Sequence, residues 1–177
     1  MPKLRTANLL GALANEIAGR LERHGKNHSN ETSSAAAALN VLAFYEGCSN
    51  GTLSRALGLS HPATVRLVDK LEAAGLVRSQ TGVDKRSVAL TLTHRGRKRA
   101  RAVVHERSLL LDGMIKVLTP AQRQQLDAIA ETLLKSMMRE AGDADYICRL
   151  CDDMECPPEE CPVHRKAMTL EAVSRLE

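Results

Sequence analysis

The stretch TLSRALGLSHPATVRLVDKLEAAGLV, residues 52 to 77, constrains this 177-residue chain more than any other. A short helix from about Thr52 to Leu57 must stop at Gly58, whose missing Cβ lets the backbone leave the helical path. Ser60 then offers a side-chain oxygen to the opening N–H groups of a second helix, and Pro62 falls in its first turn, where N–H groups lack helical acceptors. Two helices across so tight a turn form a helix-turn-helix. In the second helix Val65, Val68, Leu71 and Leu76 are expected to face the core, with His61, Thr64, Arg66 and Lys70 pointing outward.

Beyond Gly75 the period changes. Val77 to Gln80 and Ser87 to Thr93 flank the turn TGVDKR, and Val88, Leu90 and Leu92 alternate with Ala89, Thr91 and Thr93. Alternation is the mark of a strand with one buried face, so this region predicts a β-hairpin with Lys85 and Arg86 at or near its tip. Thr93 can cap a long basic helix, HRGRKRARAVVHERSLLLDGMIKVL, and Thr119, Pro120 and Gln122 make a strong start for another. In that last helix Leu126, Ile129, Leu133 and Met137, with Ala130, Leu134 and Met138 beside them, form an apolar face wide enough to serve a dimer interface. Upstream, Leu10, Leu13, Ile17 and Leu21 mark an amphipathic helix over residues 4 to 24 that Gly25 should close, followed by a polar loop. The run from about Ser34 to Gly47 reads as an Ala-rich buried helix, with Cys48 at its end as a small buried residue.

Aromatics are only 2% of the chain against 44% apolar residues overall, so the core must be aliphatic, which suits packed helices. The net charge of +4 is uneven: residues 143 to 164 carry −6, leaving +10 on the rest, a body suited to a polyanionic partner. Asn8, Asn15, Glu16 and Arg20 interrupt the N-terminal apolar residues before a signal peptide or membrane span could form, so a cytoplasmic protein without membrane partners is expected. His24 and His28 are four apart, but an interrupted helix there argues against a metal role. No Gly-rich phosphate loop, nucleophile with a partnered His or pair of acids on a groove is recognisable, and no catalytic activity is expected.

The C-terminal stretch YICRLCDDMECPPEECPVHRKA holds four of the five cysteines in the pattern C-x2-C-x4-C-x4-C. A two-residue gap lets Cys148 and Cys151 converge on one ion, and the longer gaps let Cys156 and Cys161 complete four-coordination. Pro157, Pro158 and Pro162 restrict the backbone around them. In a reducing compartment such a cluster favours one metal site, zinc or iron–sulfur, over structural disulfides. His164 could replace one cysteine. A flexible unpaired tail, or two disulfides formed on oxidation, are the competing readings.

The order helix, helix, helix-turn-helix, hairpin, two long helices resembles the MarR family of bacterial transcription regulators. The likeness is carried by LSRALGLSHPATVRLVDKLEAAGLV, by DKR in the hairpin and by LTLTHRG after it, and covers roughly residues 5 to 141. It implies a mainly α fold: a winged helix-turn-helix over 34–93, an N-terminal dimerisation helix and loop over 1–33, and C-terminal dimerisation helices over 94–142. The segment 143–177 is a cysteine-rich extension that a typical member lacks, expected as a small metal-organised knuckle appended to the regulator, either structural or an input through which a metal or redox signal releases the DNA. The resemblance further implies a homodimer on double-stranded, palindromic DNA, more often a repressor than an activator, released by a small aromatic or phenolic effector held between the dimerisation helices and the winged domain. Ser60, His61, Thr64, Arg66 and Lys70 would face the major groove. Arg86 would reach for the minor groove, with Asp84 and Lys85 beside it. A metal-binding redox sensor or an interaction protein, with the cysteine cluster as its main site, is the alternative.

Overall fold

The computed structural model describes residues 2–29, 32–81, 88–152 and 154–174. Its helices begin where short polar side chains can satisfy the opening N–H groups. Thr32, Ser49, Ser60, Thr93 and Thr119 each accept a hydrogen bond from the backbone three residues on, and Thr119 with Gln122 closes a reciprocal capping box. The elements so started are α2 (Ser33–Phe44), α3 (Asn50–Leu57), α4 (His61–Ala73), α5 (His94–Ile115) and α6 (Pro120–Met137). They are preceded by α1 (Pro2–Ser29) and followed by α7 (Asp143–Cys148) and α8 (Pro162–Ser174).

Two strands, β1 (Val77–Thr81) and β2 (Val88–Leu92), pair antiparallel with Val77 opposite Leu92 and Thr81 opposite Val88. Cys48 adds one bridge on the far side of β2: Leu90 donates to its carbonyl, while Gly47 donates to the Leu90 carbonyl. The hairpin is pinned to α4 because the Ser79 N–H donates to the Glu72 carboxylate. Among the described residues this is a mainly helical winged helix-turn-helix.

Leu39, Leu42, Leu53, Leu90 and Leu92 are fully buried at the centre, where α2, α3, α4, β2 and α5 meet. Gly96 on α5 lies so close to β1 that an added Cβ would come within 1.9 Å of the Leu76 carbonyl oxygen. Between α3 and α4, Gly58 takes φ +62°, the left-handed turn its sequence position required.

Three sequence expectations need correction. Gly25 does not end the first helix, which runs on to Ser29; one glycine costs only about 1 kcal/mol in a helix, and the neighbouring turns carry it. Thr64 does not point outward. It is wholly buried, aligned with Val68 and Leu71 on the core face, while Val65 is only half-buried. Its hydroxyl donates to the Ser60 carbonyl at 3.1 Å, which removes the cost of burying it.

The third concerns the cysteine-rich segment, which is no separate knuckle. It forms α7 and α8, which pack against each other, α7 lying on α3 and α8 on α6. Met138, Cys161, Val163 and Ala167 make a small second core, and Leu150 reaches into the main one.

Candidate nucleic-acid interface and the cysteine cavity

α4 presents Pro62, Arg66, Asp69 and Ala73 on one exposed face at steps of three and four, with Lys70 beside them and His61 at its start. Ser60, the cap, is exposed, and its hydroxyl accepts from the Ala63 N–H at 3.4 Å. The sequence reading therefore placed His61, Arg66 and Lys70 correctly on the surface but missed Asp69, a carboxylate on the same face able to accept from a cytosine amino group. The three-and-four spacing with Arg66 could have revealed it. Asp84, Lys85 and Arg86 lie outside the described residues.

The basic run at the start of α5 divides. Arg97 donates to the Glu46 carboxylate at 3.1 Å and to the Leu92 carbonyl at 2.9 Å, and Arg99 pairs with Glu106 at 3.3 Å, so both guanidinium groups are engaged within the chain. Arg95, Lys98 and Arg101 remain exposed. A cavity of about 430 Å³ opens between α2 and α5, lined by Phe44, Leu92, Ala100 and Val104 with Arg97 and Arg101 at its polar side; Cys151 and Met154 also border it.

A second cavity, about 150 Å³, is lined by all four clustered cysteines together with His164, Tyr45 and Phe44. All are free thiols: Cys161 is buried, Cys148 and Cys156 half-buried, Cys151 exposed. Thiol contacts join Cys148 to Cys151 and to Cys161, and Cys161 to Cys156. In this hydrogen-bonded arrangement no three His, Cys, Asp or Glu side chains among the described residues surround one point as metal ligands.

The hydrogen bond from Cys148, then the Arg107 and Arg149 charges, hold the Cys151 thiol down at about 7 against desolvation. The same hydrogen bond, with burial, pushes Cys148 up, and burial followed by contact with Cys161 raises Cys156 to about 11. Cys151 thus ionises before Cys148 and Cys156. Cys48 stands apart at the edge of β2, its thiol pushed up by burial.

Backbone and side-chain bonds fasten this segment to the winged domain. Asn40, buried in the middle of α2, donates to the carbonyls of Arg149 at 3.2 Å and Cys151 at 3.0 Å. The Tyr45 hydroxyl donates to Asp145 at 3.0 Å, and burial, followed by the Asp145 charge, pushes its pKa up to about 12. Tyr146 lies against Gly58, where an added Cβ would meet its ring at 2.8 Å, and Arg149 stacks over the same ring 3.8 Å from its centre. Sequence reasoning missed these contacts; a lone Asn within an apolar helix was the one available signal.

A winged helix-turn-helix whose second helix exposes Arg66, Asp69 and Lys70 defines a class of DNA-binding transcription regulator. The MarR family model matches residues 32–87. An uncharacterized HTH-type transcriptional regulator of Bacillus subtilis, YwhA, is 30% identical over 96 residues, which span 54% of this chain and 69% of YwhA. The chain belongs to the MarR family. Its fold is also that of a MarR family protein from Bacillus stearothermophilus, at 22% identity and TM-score 0.67, covering 76% of this chain and 94% of that one. A MepR variant from Staphylococcus aureus, bound to an oligodeoxyribonucleotide, matches with TM-score 0.57 at 18% identity, covering 75% of this chain and 98% of that one. Each of these two structures therefore leaves about a quarter of this chain without a counterpart. Among the described residues no helix is long and apolar enough to cross a membrane.

Proposed function

We propose that the protein is a homodimeric repressor that sets its two α4 helices into successive major grooves of a palindromic operator. The observation that carries this reading is the exposed face of α4, where Arg66 and Lys70 accompany His61 and Asp69 at the far side of a tight turn from α3. Arg66 and Lys70 supply phosphate or guanine contacts, His61 and Asp69 read base edges, and the Ser60 cap fixes where the helix begins. Arg86, flanked by Asp84 and Lys85, extends the contact to the neighbouring minor groove in the manner the family resemblance implies.

The terminal helices supply the dimer. In the single chain Leu4, Leu9 and Leu13 on α1, and Ile129 and Met137 on α6, are all more than half exposed, an apolar surface that a second copy would cover. The 430 Å³ cavity between α2 and α5 suits a small aromatic or phenolic effector, with Phe44 and Val104 against its ring and Arg101 meeting an acidic substituent. An effector bound there in a dimer geometry mismatched to the groove spacing would release the DNA by its differential affinity for that state.

Fluorescence anisotropy with duplex DNA at several salt concentrations tests the reading. Affinity should fall steeply with salt, and Lys70→Ala should weaken binding while reducing the logarithmic salt slope by about one. Binding that is salt-insensitive, or equal in wild type and in Arg66→Ala and Lys70→Ala together, would exclude α4 as the DNA-binding element.

A further inference from the structure

We propose that Cys148, Cys151, Cys156 and Cys161 together hold one thiophilic metal centre, a zinc ion or an iron–sulfur cluster, and that this centre fastens the helix-turn-helix in its DNA-binding position. The second half rests on the DNA-binding reading above; the first does not.

The donor set fits such a centre. Four thiols from fourteen consecutive residues line one small cavity, the number that zinc and iron–sulfur clusters both accept. The turn between the first two is closed by the Cys151 N–H on the Cys148 carbonyl at 2.8 Å, which keeps their side chains on the same side of the chain. Cys161 begins α8 as its cap: its carbonyl accepts from Arg165, and its sulfur accepts the His164 N–H at 3.5 Å, a donor that a thiolate holds more strongly than a thiol. The thiols now touch one another through hydrogens that metal binding would displace. Among the described residues of 149–160, Leu150 alone packs on the main core and Cys156 alone on the second, so this stretch buries little of its own apolar surface. A chain that gains so little from burial is ordered efficiently by a metal.

The same segment is built onto the reading head. Cys148 ends α7, and two residues earlier Tyr146 lies against Gly58, the left-handed residue that turns α3 into α4. Asn40 holds the carbonyls on either side of Leu150. Fixing Cys148 and Cys151 on a metal therefore fixes Tyr146 and the turn before α4. Removing it frees that turn and lowers the fraction of dimers whose two α4 helices match the groove spacing.

The test begins with metal analysis and absorption spectra of the full chain purified without oxygen, in wild type and in five single Cys→Ser variants, with circular dichroism to verify folding. The expected result is about one centre per chain in wild type and Cys48→Ser and loss of most of it in each of the other four. Colourless protein with zinc and brown protein with iron both satisfy the proposal and identify the centre. Metal-free wild type, or full metal content in folded Cys151→Ser and Cys156→Ser, overturns it. DNA affinity is then measured with and without a chelator: metal removal should weaken binding about tenfold in wild type, a coupling of ordinary size, and have little effect in Tyr146→Ala. Equal affinity of the two wild-type forms overturns the coupling. Absence of DNA binding from both forms overturns the regulator reading and leaves the metal result standing.

Discussion

The side-chain amide of Asn40 donates a hydrogen bond of 3.0 Å to the main-chain carbonyl of Cys151, across 111 residues of sequence. With its second bond to Arg149, this buried amide ties the middle of the DNA-binding domain to the cysteine segment. Asn40→Ala leaves both carbonyls without this donor and opens a small void, a loss expected at about 2 kcal/mol. Urea denaturation of the two proteins measures it. A change within about 0.5 kcal/mol would mean that the contact contributes nothing to stability.

Gly96→Ala is expected to destabilise by about 2 kcal/mol, since the new Cβ would lie 1.9 Å from the Leu76 carbonyl oxygen and backbone on one side must move. Thermal melting reads this directly. Gly11, which has nothing within 4 Å of an added Cβ, is the control: Gly11→Ala in a helix should be neutral or stabilising.

Much of this architecture was legible in the sequence because capping and turn chemistry are local. Ser60, Thr93 and Thr119 announce their helices, Gly58 its turn, and the alternation of Val88, Leu90 and Leu92 its strand. What escaped depends on distant partners. Thr64 looked like a surface residue because its type is polar, yet an intrahelical bond to Ser60 lets it sit in the core. The cysteine segment looked like an appendage because nothing in its own sequence reveals that Asn40, Tyr45 and Gly58 receive it. Asp69 shares its exposed face with Arg66 and Lys70, and an acid among basic neighbours gives no local sign of a DNA contact.

The corrected position of Thr64 gives a contrast in DNA recognition. Thr64→Val removes a buried hydroxyl and should leave the base preference of the protein unchanged, whereas Arg66→Ala and Asp69→Ala should each relax discrimination at one position by about 1–3 kcal/mol. Competition binding against single-base operator variants separates them. An altered base preference in Thr64→Val would return that residue to the interface.

Ile129→Glu places a charge on the exposed apolar face of α6, where the side chain is 57% exposed in the single chain. The monomer should fold normally, but pairing should weaken roughly tenfold or more because the carboxylate would be buried without a partner. Sedimentation velocity over a range of concentrations reports the shift; an unchanged dimer would place the interface elsewhere.

Tyr45 supplies a pH signature. Its folded pKa, about 12, lies above the ordinary phenol value of 10, because burial and Asp145 both oppose the phenolate. Unfolding releases the group to ionise near 10. This contribution to stability is therefore fully present below pH 10 and is lost as pH rises from 10 toward 12. Tyr45→Phe should show a shallower alkaline decline than wild type in denaturant titrations at pH 9, 10 and 11.

The central claim, a dimer that reads two grooves with α4, is tested most directly by selecting high-affinity duplexes from a random pool with the purified protein and sequencing them. The account predicts an inverted repeat whose half-site centres lie one helical turn apart, about 10 base pairs, or a multiple of that spacing. Enrichment of a single asymmetric element, or no enrichment over the starting pool, would contradict it.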